Sequence, residues 1–365
     1  MIAESDTEND GKCSDQFLVN NLIDKTSETL ESSATPLARN HWAQKHHYLA
    51  DQYDHNSVAE SNVAKTSDAH TNIHQVNIDY QSASLAVEAA VAIVINGIHY
   101  AVLMASPHQL EYLAVGFLFS EGLIQHSQEL LDWEVTQLND IANYQQFTQD
   151  LFMQDSFIKN STNKSLEFSA FEQSLSSLQD YDIYVVELVL NQRCHQRIQA
   201  QRRQLAGRTG CGMCGITGLT QALPDLSIYR QNRQKVDPPS LDYLLAIRQQ
   251  VDAAQHTHQL TGAVHAAATM YNQQLYLFED VGRHNALDKL IGWQLRQKVE
   301  VSCVLMTSRL SIELVQKSIR GRIPWLVGMS APTSTAVRVS ERYSLGLAGF
   351  LRDNRVTYYS NYSDL

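Results

Sequence analysis

Regular patterns of apolar and polar positions begin well inside the chain, where they predict a β-hairpin and a helix. Val91–Ile95 and His99–Met104 are apolar and β-branched runs on either side of Asn96-Gly97, a pair typical of a two-residue hairpin turn. Ser106-Pro107 then predicts the N-cap and the first position of a helix. The folded body therefore opens with a hairpin followed by a helix.

Strand and helix patterns alternate through the second half of the chain. Apolar runs predict strands at 183–190, 265–271, 275–278, 301–306 and 325–329, and helical spacing predicts helices at 241–253, 284–295, 311–319 and 333–343. This alternation indicates an α/β sandwich. We predict an α/β protein with a smaller N-terminal α+β region at 81–235 and an α/β domain at 236–365.

Two polar segments stand apart from these patterns. Residues 1–80 offer too little apolar surface to offset the entropy of ordering, so we predict a disordered tail. Within it, the short apolar stretches at 17–23 and 41–49 predict transient helices. Residues 134–182 are similarly polar and predict an insertion in the N-terminal region.

The formal charge of -11 is unevenly distributed along the chain. Residues 1–80 hold 13 acidic and 5 basic side chains, and residues 134–182 hold 8 acidic and 2 basic ones. Residues 183–365 hold 21 basic and 13 acidic side chains. The acidic total therefore comes from the front of the chain, and the basic second half is compatible with a phosphate-bearing ligand. We find no basic helix or series of aromatic stacking positions that favours nucleic acid.

The sequence also bears on location. No apolar run reaches the ~18 residues of a membrane span, and the acidic start at Met1–Asp6 lacks the basic and apolar segments of a secretory signal. Five cysteines are too few, and odd in number, for a disulfide framework. We therefore expect a cytoplasmic protein whose closely spaced cysteines serve thiol chemistry.

The sharpest chemical motif is Gly210-Cys211-Gly212-Met213-Cys214-Gly215, within a loop at 207–216. Its glycines leave both thiols uncovered, and Arg208 just upstream favours the reactive thiolate. A structural zinc half-site is the alternative, although zinc needs four ligands and the chain has no second Cys-x-x-Cys pair. We expect sulfur or redox chemistry and no permanently bound metal.

Four further segments carry candidate binding residues. Glu279–Lys289, which includes Arg283 and His284, predicts either a site or a set of helix caps and ion pairs. Ser308-Arg309 and Ser330–Thr333 each follow a predicted strand and precede a predicted helix. A segment in this position is either an anion-binding site or an ordinary helix N-cap. With the arginines of Phe350–Arg355, they suggest phosphate recognition.

Together these motifs resemble the formate dehydrogenase accessory sulfurtransferases, the FdhD family. The matching segments follow in order at 96–97, 105–122, 207–215, 261–267, 279–289, 308–309, 330–333 and 349–350. The tail and the insertion lie outside the resemblance. The family's C-terminal domain is similar to a cytidine deaminase fold, but His265-Ala266-Ala267 lacks the glutamate of the deaminase signature, so we do not expect deamination.

The resemblance implies a sulfurtransferase required for formate dehydrogenase activity. Such a protein accepts sulfur from a cysteine desulfurase as a cysteine persulfide and passes it to a molybdenum or tungsten bis(molybdopterin guanine dinucleotide) cofactor. Cys211 would carry the persulfide with Cys214 as its partner, and a homodimer is implied. Residues expected to bind the cofactor are Phe350, Leu351, Arg352, Asp353, Asn354, Arg355, Arg283, His284, Ser308 and Arg309.

Two other functions are compatible with the cysteine motif. A thiol-disulfide oxidoreductase would cycle Cys211 and Cys214 between thiols and a disulfide, although the pair lacks the short βαβ context of thioredoxin-like proteins. A zinc-dependent chaperone of formate dehydrogenase would use both cysteines only to fold their loop.

Overall fold

The computed structural model of the chain describes residues 37–48, 76–138, 181–196, 198, 222–230 and 236–360. Its strands are β1 Ala38–Tyr48, β2 Val76–Ala86, β3 Ala89–Ile95, β4 Ile98–Ala105, β5 Leu130–Gln137, β6 Ile183–Leu190, β7 His265–Tyr271, β8 Gln274–Asp280, β9 Cys303–Met306, β10 Trp325–Gly328, β11 Gly346–Arg352 and β12 Arg355–Ser360. Its helices are α1 Leu110–Ser120, α2 Ser227–Arg230, α3 Leu241–Ala254, α4 His256–Thr261, α5 Arg283–Gln297, α6 Ile312–Arg320 and α7 Ser334–Arg342, with a short 3₁₀ turn at Ser127–Glu129.

The smaller sheet has the order β4-β3-β6-β5, with β3 and β6 parallel and the outer pairs antiparallel. The predicted Asn96-Gly97 turn joins β3 to β4, and both residues have positive φ, 49° and 76°. The Asn96 side chain also accepts a hydrogen bond from the Leu190 amide at 2.7 Å. One residue therefore forms the hairpin turn and holds the end of β6.

The larger sheet has the order β12-β11-β10-β9-β7-β8. Strands β9, β10 and β11 are parallel neighbours, and β7 and β12 run antiparallel to them. Helices α6 and α7 connect the parallel strands, as right-handed crossovers do in α/β proteins. The prediction of an α/β protein is confirmed, whereas the likeness to cytidine deaminases stays a prediction.

Helices α1 and α5 cross in close contact between the two sheets. A Cβ atom placed on Gly116 would lie 1.8 Å from the carbonyl oxygen of Asp288, and one on Gly292 would lie 1.9 Å from that of Tyr112. Backbone meets backbone at this crossing, so glycine is the residue that fits on both helices. The predicted N-terminal and C-terminal regions are therefore in direct main-chain contact where α1 crosses α5.

The largest cluster of buried apolar residues runs through both predicted regions. Its buried side chains include Ile93 and Leu118 from the N-terminal region and Leu287 and Val304 from the C-terminal region. Residues Leu37–Leu365 accordingly form one compact unit. The boundary predicted between residues 235 and 236 separates two sheets that share one core.

Several local predictions are wrong. Strands β1 and β2 pair in an antiparallel ladder from Ala38↔Ala86 to Tyr48↔Val76, where we predicted a disordered tail and a helix at 41–49. The insertion predicted at 134–182 overlaps β5, which continues to Gln137. The predicted stretch at 17–23 lies outside the described residues.

The start of α1 also differs from the prediction. The helix begins at Leu110, with Gln109 as its N-cap in the left-handed region at φ 55°. Ser106 does not cap it, because its hydroxyl accepts a hydrogen bond from the Val281 amide at 3.2 Å. A tertiary contact therefore replaces the expected local cap.

Candidate anion-binding edge

The predicted binding segments converge at one edge of the larger sheet. The carboxyl ends of β9, β10 and β11 meet there because these strands are parallel neighbours. Strand β7 is antiparallel to β9, so its first residue, His265, lies at the same edge. This is the edge at which α/β proteins bind ligands.

Main-chain hydrogen bonds tie the segments at this edge to each other. The Leu310 amide donates to the carbonyl of Ala331 at 3.1 Å, and the Thr333 amide donates to the carbonyl of Leu310 at 2.9 Å. The Phe350 amide donates to the carbonyl of Ser330 at 3.2 Å. The loops after β9 and β10 and the end of β11 are therefore a connected surface.

The loop after β9 contains one accessible cation. Ser308 is buried, and its hydroxyl donates to the carbonyl of Arg309 at 3.1 Å. Its side chain therefore stabilises the loop in which it lies. The Arg309 side chain is exposed. After β10, the Thr333 hydroxyl accepts from the Ala336 amide at 3.3 Å and caps α7, which is the ordinary N-cap alternative.

The turn between β11 and β12 carries the clearest anion-binding feature. Arg352 and Arg355 are directly opposed across the antiparallel pair, and both are exposed. Like charges in opposed positions repel each other, and a bound anion relieves that repulsion. Arg352 also donates to the carbonyl of Met329 at 2.5 Å, which holds it against the end of β10.

The other residues of this turn have distinct environments. Phe350 has a positive φ of 52° at a β-bulge, and its side chain is 40% exposed. Leu351 was predicted to bind the cofactor, but its side chain is fully buried in the core beside β10, which removes it from the ligand surface. Asp353 pairs with Arg248 of α3 at 3.0 Å, and Asn354 is exposed.

His284 and Arg283 open α5 at the same edge. Burial, followed by the positive charges of Arg283 and Lys317, lowers the pKa of His284 to about 4, against the opposing effect of Glu313 and Glu121. The His284 Nε2 atom lies 3.9 Å from a Glu313 carboxylate oxygen. His284 is therefore a neutral imidazole at physiological pH.

His265 has a similar environment. Its pKa is lowered first by burial and then by the charges of Arg283 and His258. Both imidazoles near the edge are thus held in the neutral form beside a permanent cation. The positive charge of Arg283 contributes to both shifts.

Most of the Glu279–Lys289 motif has a structural role. Lys289 and Asp280 form a fully buried ion pair at 2.7 Å, and Lys289 also donates to the carbonyl of Ser106 at 3.2 Å. Asp280 accepts from the Gly282 amide at 2.8 Å and from the Asn285 side chain at 3.0 Å. Of the two predicted alternatives, ion pairs and caps account for this part of the motif.

A second buried network was missed by sequence reasoning. Lys317 donates to Asp288 at 2.9 Å, to Ser120 at 2.7 Å and to Glu121 at 3.1 Å, joining α6, α5 and α1. Helical spacing places Glu313 and Lys317 on one face of α6, but no pattern in the sequence predicts which distant residues they contact. The basic residues of the second half are therefore divided between buried pairs and the exposed edge.

The cysteine loop at 207–216, with Cys211 and Cys214, lies outside the described residues. Of the cysteines that the structure does describe, Cys194 and Cys303 are both buried. Burial raises the pKa of Cys303 to about 12, which makes it an inert thiol.

Within the described ranges, no cluster of His, Cys, Asp and Glu is arranged to hold a metal ion, and no helix is long and apolar enough to cross a membrane.

The low pKa of His284 predicts a pH-dependent contribution to stability. In the unfolded chain the imidazole binds a proton below about pH 6.5, whereas the folded state resists protonation until about pH 4. The contribution is therefore fully present above pH 6.5 and is lost as the pH falls. We expect the wild type to lose about 2 kcal/mol more unfolding free energy than His284→Gln between pH 7 and pH 5.

Urea unfolding of both proteins at the two pH values measures this difference. Both proteins keep the other acidic groups, so the difference in their pH dependence reports on residue 284 together with its coupling to Glu313. Equal pH dependence in the two proteins would show that His284 is protonated normally in the folded state.

The fold and this edge define a class: α/β proteins that present cations and helix N-termini at the carboxyl ends of parallel strands, as phosphate-binding proteins do. The sequence profile of the FdhD/NarQ family matches residues 86–365. The chain belongs to the FdhD/NarQ family.

Individual relatives agree with this assignment. The chain is 34% identical over 281 residues to the sulfur carrier protein FdhD of Shewanella oneidensis, covering 76% of this chain and 84% of that protein. It is 36% identical over 284 residues to the sulfur carrier protein FdhD of Chromobacterium violaceum, covering 76% and 88%. The predicted family resemblance is confirmed.

A solved structure shares the fold. The crystal structure of a putative formate dehydrogenase accessory protein from Desulfotalea psychrophila superimposes with a TM-score of 0.50 at 16% identity, covering 78% of this chain and 91% of that one. The hairpin of β1 and β2 lies almost entirely before residue 86, where the family match begins.

Proposed function

We propose that the chain is a cytoplasmic sulfurtransferase that carries sulfur from a cysteine desulfurase to the molybdenum or tungsten bis(molybdopterin guanine dinucleotide) cofactor of formate dehydrogenase. Membership of the FdhD/NarQ family, with relatives named as sulfur carriers, is the observation that supports it most. The Cys211-x-x-Cys214 motif supplies the sulfur chemistry that this role needs. A homodimer is part of the proposal.

Loading of the carrier is a thiol exchange that needs no external oxidant or reductant. The Cys211 thiolate attacks the outer sulfur of the desulfurase persulfide, forming a new sulfur–sulfur bond. The original sulfur–sulfur bond breaks, and the desulfurase cysteine leaves as a thiolate. Cys211 then carries the sulfur as a persulfide, with Cys214 placed two residues further on to protect or relay it.

The exposed arginines would hold the cofactor, which is the substrate that accepts the sulfur. Its pyrophosphates carry the negative charge that the opposed pair Arg352 and Arg355 favours, and Arg309 lies at the same sheet edge. Phe350 offers an exposed ring for contact with a guanine or pterin. When bound, the cofactor supplies the metal centre that receives the sulfur.

Mass spectrometry after incubation with a cysteine desulfurase and cysteine tests the sulfur-carrying step. We expect one added sulfur atom, a mass gain of about 32 Da that reducing agents remove, and we expect peptide mapping to place it on Cys211. Cys211→Ala should lose this gain entirely, because the attacking thiolate is gone.

Cys303→Ala is the matched control. The buried Cys303 thiol stays protonated at neutral pH, so its removal should leave the sulfur gain unchanged. Full labelling of Cys211→Ala would overturn the assignment. Zinc bound in equal amount to the protein, with formate dehydrogenase activated in the absence of any sulfur donor, would favour a zinc-dependent chaperone instead.

A further inference from the structure

The antiparallel pair of β1 and β2 presents one uncharged face. Side chains alternate between two faces along each strand, and directly opposed residues share a face. The opposed pairs Trp42↔Ser82 and Gln44↔Tyr80 therefore lie on one face, which we call the aromatic face. Its described polar and large apolar side chains, none of which is charged, are Asn40, Trp42, Gln44, Ile78, Tyr80, Ser82 and Ser84.

The other face of the hairpin carries the charges. Lys45 and Asp79 are directly opposed there, and Arg39 and His41 lie on the same face. Arg39 also pairs with Asp182 at 2.8 Å. The charged face is therefore suited to water, whereas the aromatic face is suited to an apolar neighbour.

Three large apolar side chains of the aromatic face are exposed. Trp42 is 75% exposed, Tyr80 is 68% exposed and Ile78 is 46% exposed. A two-stranded hairpin without a covering layer is only marginally stable in water. Exposed apolar groups that lie side by side are typical of interaction surfaces. Both arguments favour a second surface that packs on this face.

The polar side chains of the aromatic face are paired with each other. The Gln44 side-chain nitrogen donates to the Tyr80 hydroxyl at 2.9 Å, and the Ser84 hydroxyl donates to the Asn40 side-chain oxygen at 3.3 Å. Covering a polar group is costly when it loses water without gaining a partner. These cross-strand bonds persist when the face is covered, so they lower the cost of burying it.

The absence of charge among the described side chains of this face favours a second copy of the chain as the occupant. A surface without charges offers nothing that selects a charged partner. Two copies of it meet without local repulsion, although the whole chain has a formal charge of -11. A twofold axis brings the same face of both copies together, and two ribbons of equal twist pack well face to face.

The area of the face determines how strong such a contact is. The exposed parts of its three large apolar side chains amount to about 400 Å² per copy. With the polar neighbours, a symmetric contact covers roughly 1,000 Å² in total, near the lower limit for specific interfaces. This area predicts reversible association with a dissociation constant on the order of 10 µM.

We propose that the β1–β2 hairpin is a self-association surface, in which the aromatic faces of two copies pack together about a twofold axis. All residues of the face precede residue 86, where the match to the FdhD/NarQ family begins. The contact is therefore separate from any surface that the matched region forms. The proposal does not depend on the sulfur-carrier function.

Sedimentation velocity of the full chain tests the proposal, at concentrations about tenfold below and above the expected dissociation constant. We expect the average mass of the wild type to rise with concentration across this range. Trp42→Ser should weaken the association about thirtyfold or more, because a large aromatic side chain at the centre of an interface dominates its energy. Leu131→Ser, at a 64% exposed position on β5, is the matched control and should associate like the wild type.

A pair of charge variants tests whether the partner is a second copy. Ser82 is exposed, opposes Trp42 and lies next to the middle of the ladder, so a twofold contact brings the two copies of residue 82 close together. Ser82→Lys and Ser82→Glu should each associate more weakly than the wild type, because like charges then meet. An equimolar mixture of the two should restore association. Both variants keep the apolar side chains, so they remain informative if Trp42→Ser unfolds the hairpin.

Each result decides for or against the proposal. Weakened association of Trp42→Ser and of both Ser82 variants, with recovery in the mixture and an unchanged Leu131→Ser, would establish the contact. The proposal fails if the wild-type mass does not change with concentration or if Trp42→Ser, while folded, associates like the wild type. It also fails if Leu131→Ser is weakened as much as Trp42→Ser, or if the mixture associates no better than either Ser82 variant alone.

Discussion

Gly292→Ala is expected to destabilise the folded state of the protein severely. The added Cβ would lie 1.9 Å from the carbonyl oxygen of Tyr112 and 2.9 Å from the amide nitrogen of Gly116, both main-chain atoms of α1. A main chain cannot swing aside as a side chain does, so α1 and α5 must separate and open the shared core. We expect a loss of at least about 3 kcal/mol, measured by urea unfolding.

Gly262→Ala is the control for this change. Gly262 has a positive φ of 66° and no atom within 4 Å of the position of an added Cβ. Its replacement adds backbone strain of about 1 to 2 kcal/mol without a clash. If the two variants lost equal stability, close approach of the helices would not be the reason for glycine at 292.

Lys289→Met is expected to destabilise the protein by about 3 to 5 kcal/mol, because it leaves a buried carboxylate without its partner charge. Lys289 and Asp280 are both fully buried, and their charged atoms are 2.7 Å apart. The ion pair also connects β8 and α5 to Ser106, directly after β4, since Asp280 accepts from the Ser106 amide at 3.1 Å. Urea unfolding at neutral pH measures the loss.

The double variant Asp280→Asn with Lys289→Met separates the charge effect from the loss of packing. Asparagine keeps an acceptor for the Gly282 amide but carries no charge, so the double variant should be more stable than Lys289→Met alone. Arg39→Met, at the exposed pair with Asp182, should cost less than about 1 kcal/mol. A double variant less stable than Lys289→Met would contradict the proposed cost of the unpaired carboxylate.

The fold of the second half could be predicted because its local signals agree with its tertiary environment. Strands such as β9 are wholly buried, so they are apolar throughout, and the helices between them carry apolar residues at helical spacing. The hairpin of β1 and β2 could not be predicted in this way. Trp42 is 75% exposed and Tyr80 is 68% exposed, so these strands do not alternate between a buried and a solvent face. The short alternation at Val76, Ile78 and Tyr80 is a strand signal that the sequence analysis missed.

The candidate site could be predicted in position but not in the role of each residue. Topology explains the position, because segments that follow parallel strands meet at one edge wherever the sheet forms. Burial decides the roles, and burial depends on distant residues. Leu351 and Ser308 lie in binding motifs but are buried, while Arg309 and Arg352 are exposed. The persulfide position on Cys211 stays a prediction.

Where the chain leaves β5 and returns to β6, its two ends meet. The Leu138 amide donates to the carbonyl of Ile183 at 2.9 Å, directly after the ladder of the two strands. The hydrogen bonds of the β5–β6 ladder and of Leu138 fix the register of the two strands. Changing the number of residues between them alters the entropy of loop closure only slowly, so the pairing does not depend strongly on that length. Gene-level insertions and deletions are tolerated at such a joint, and a fluorescent protein or an affinity tag could be spliced there without shifting the sheet.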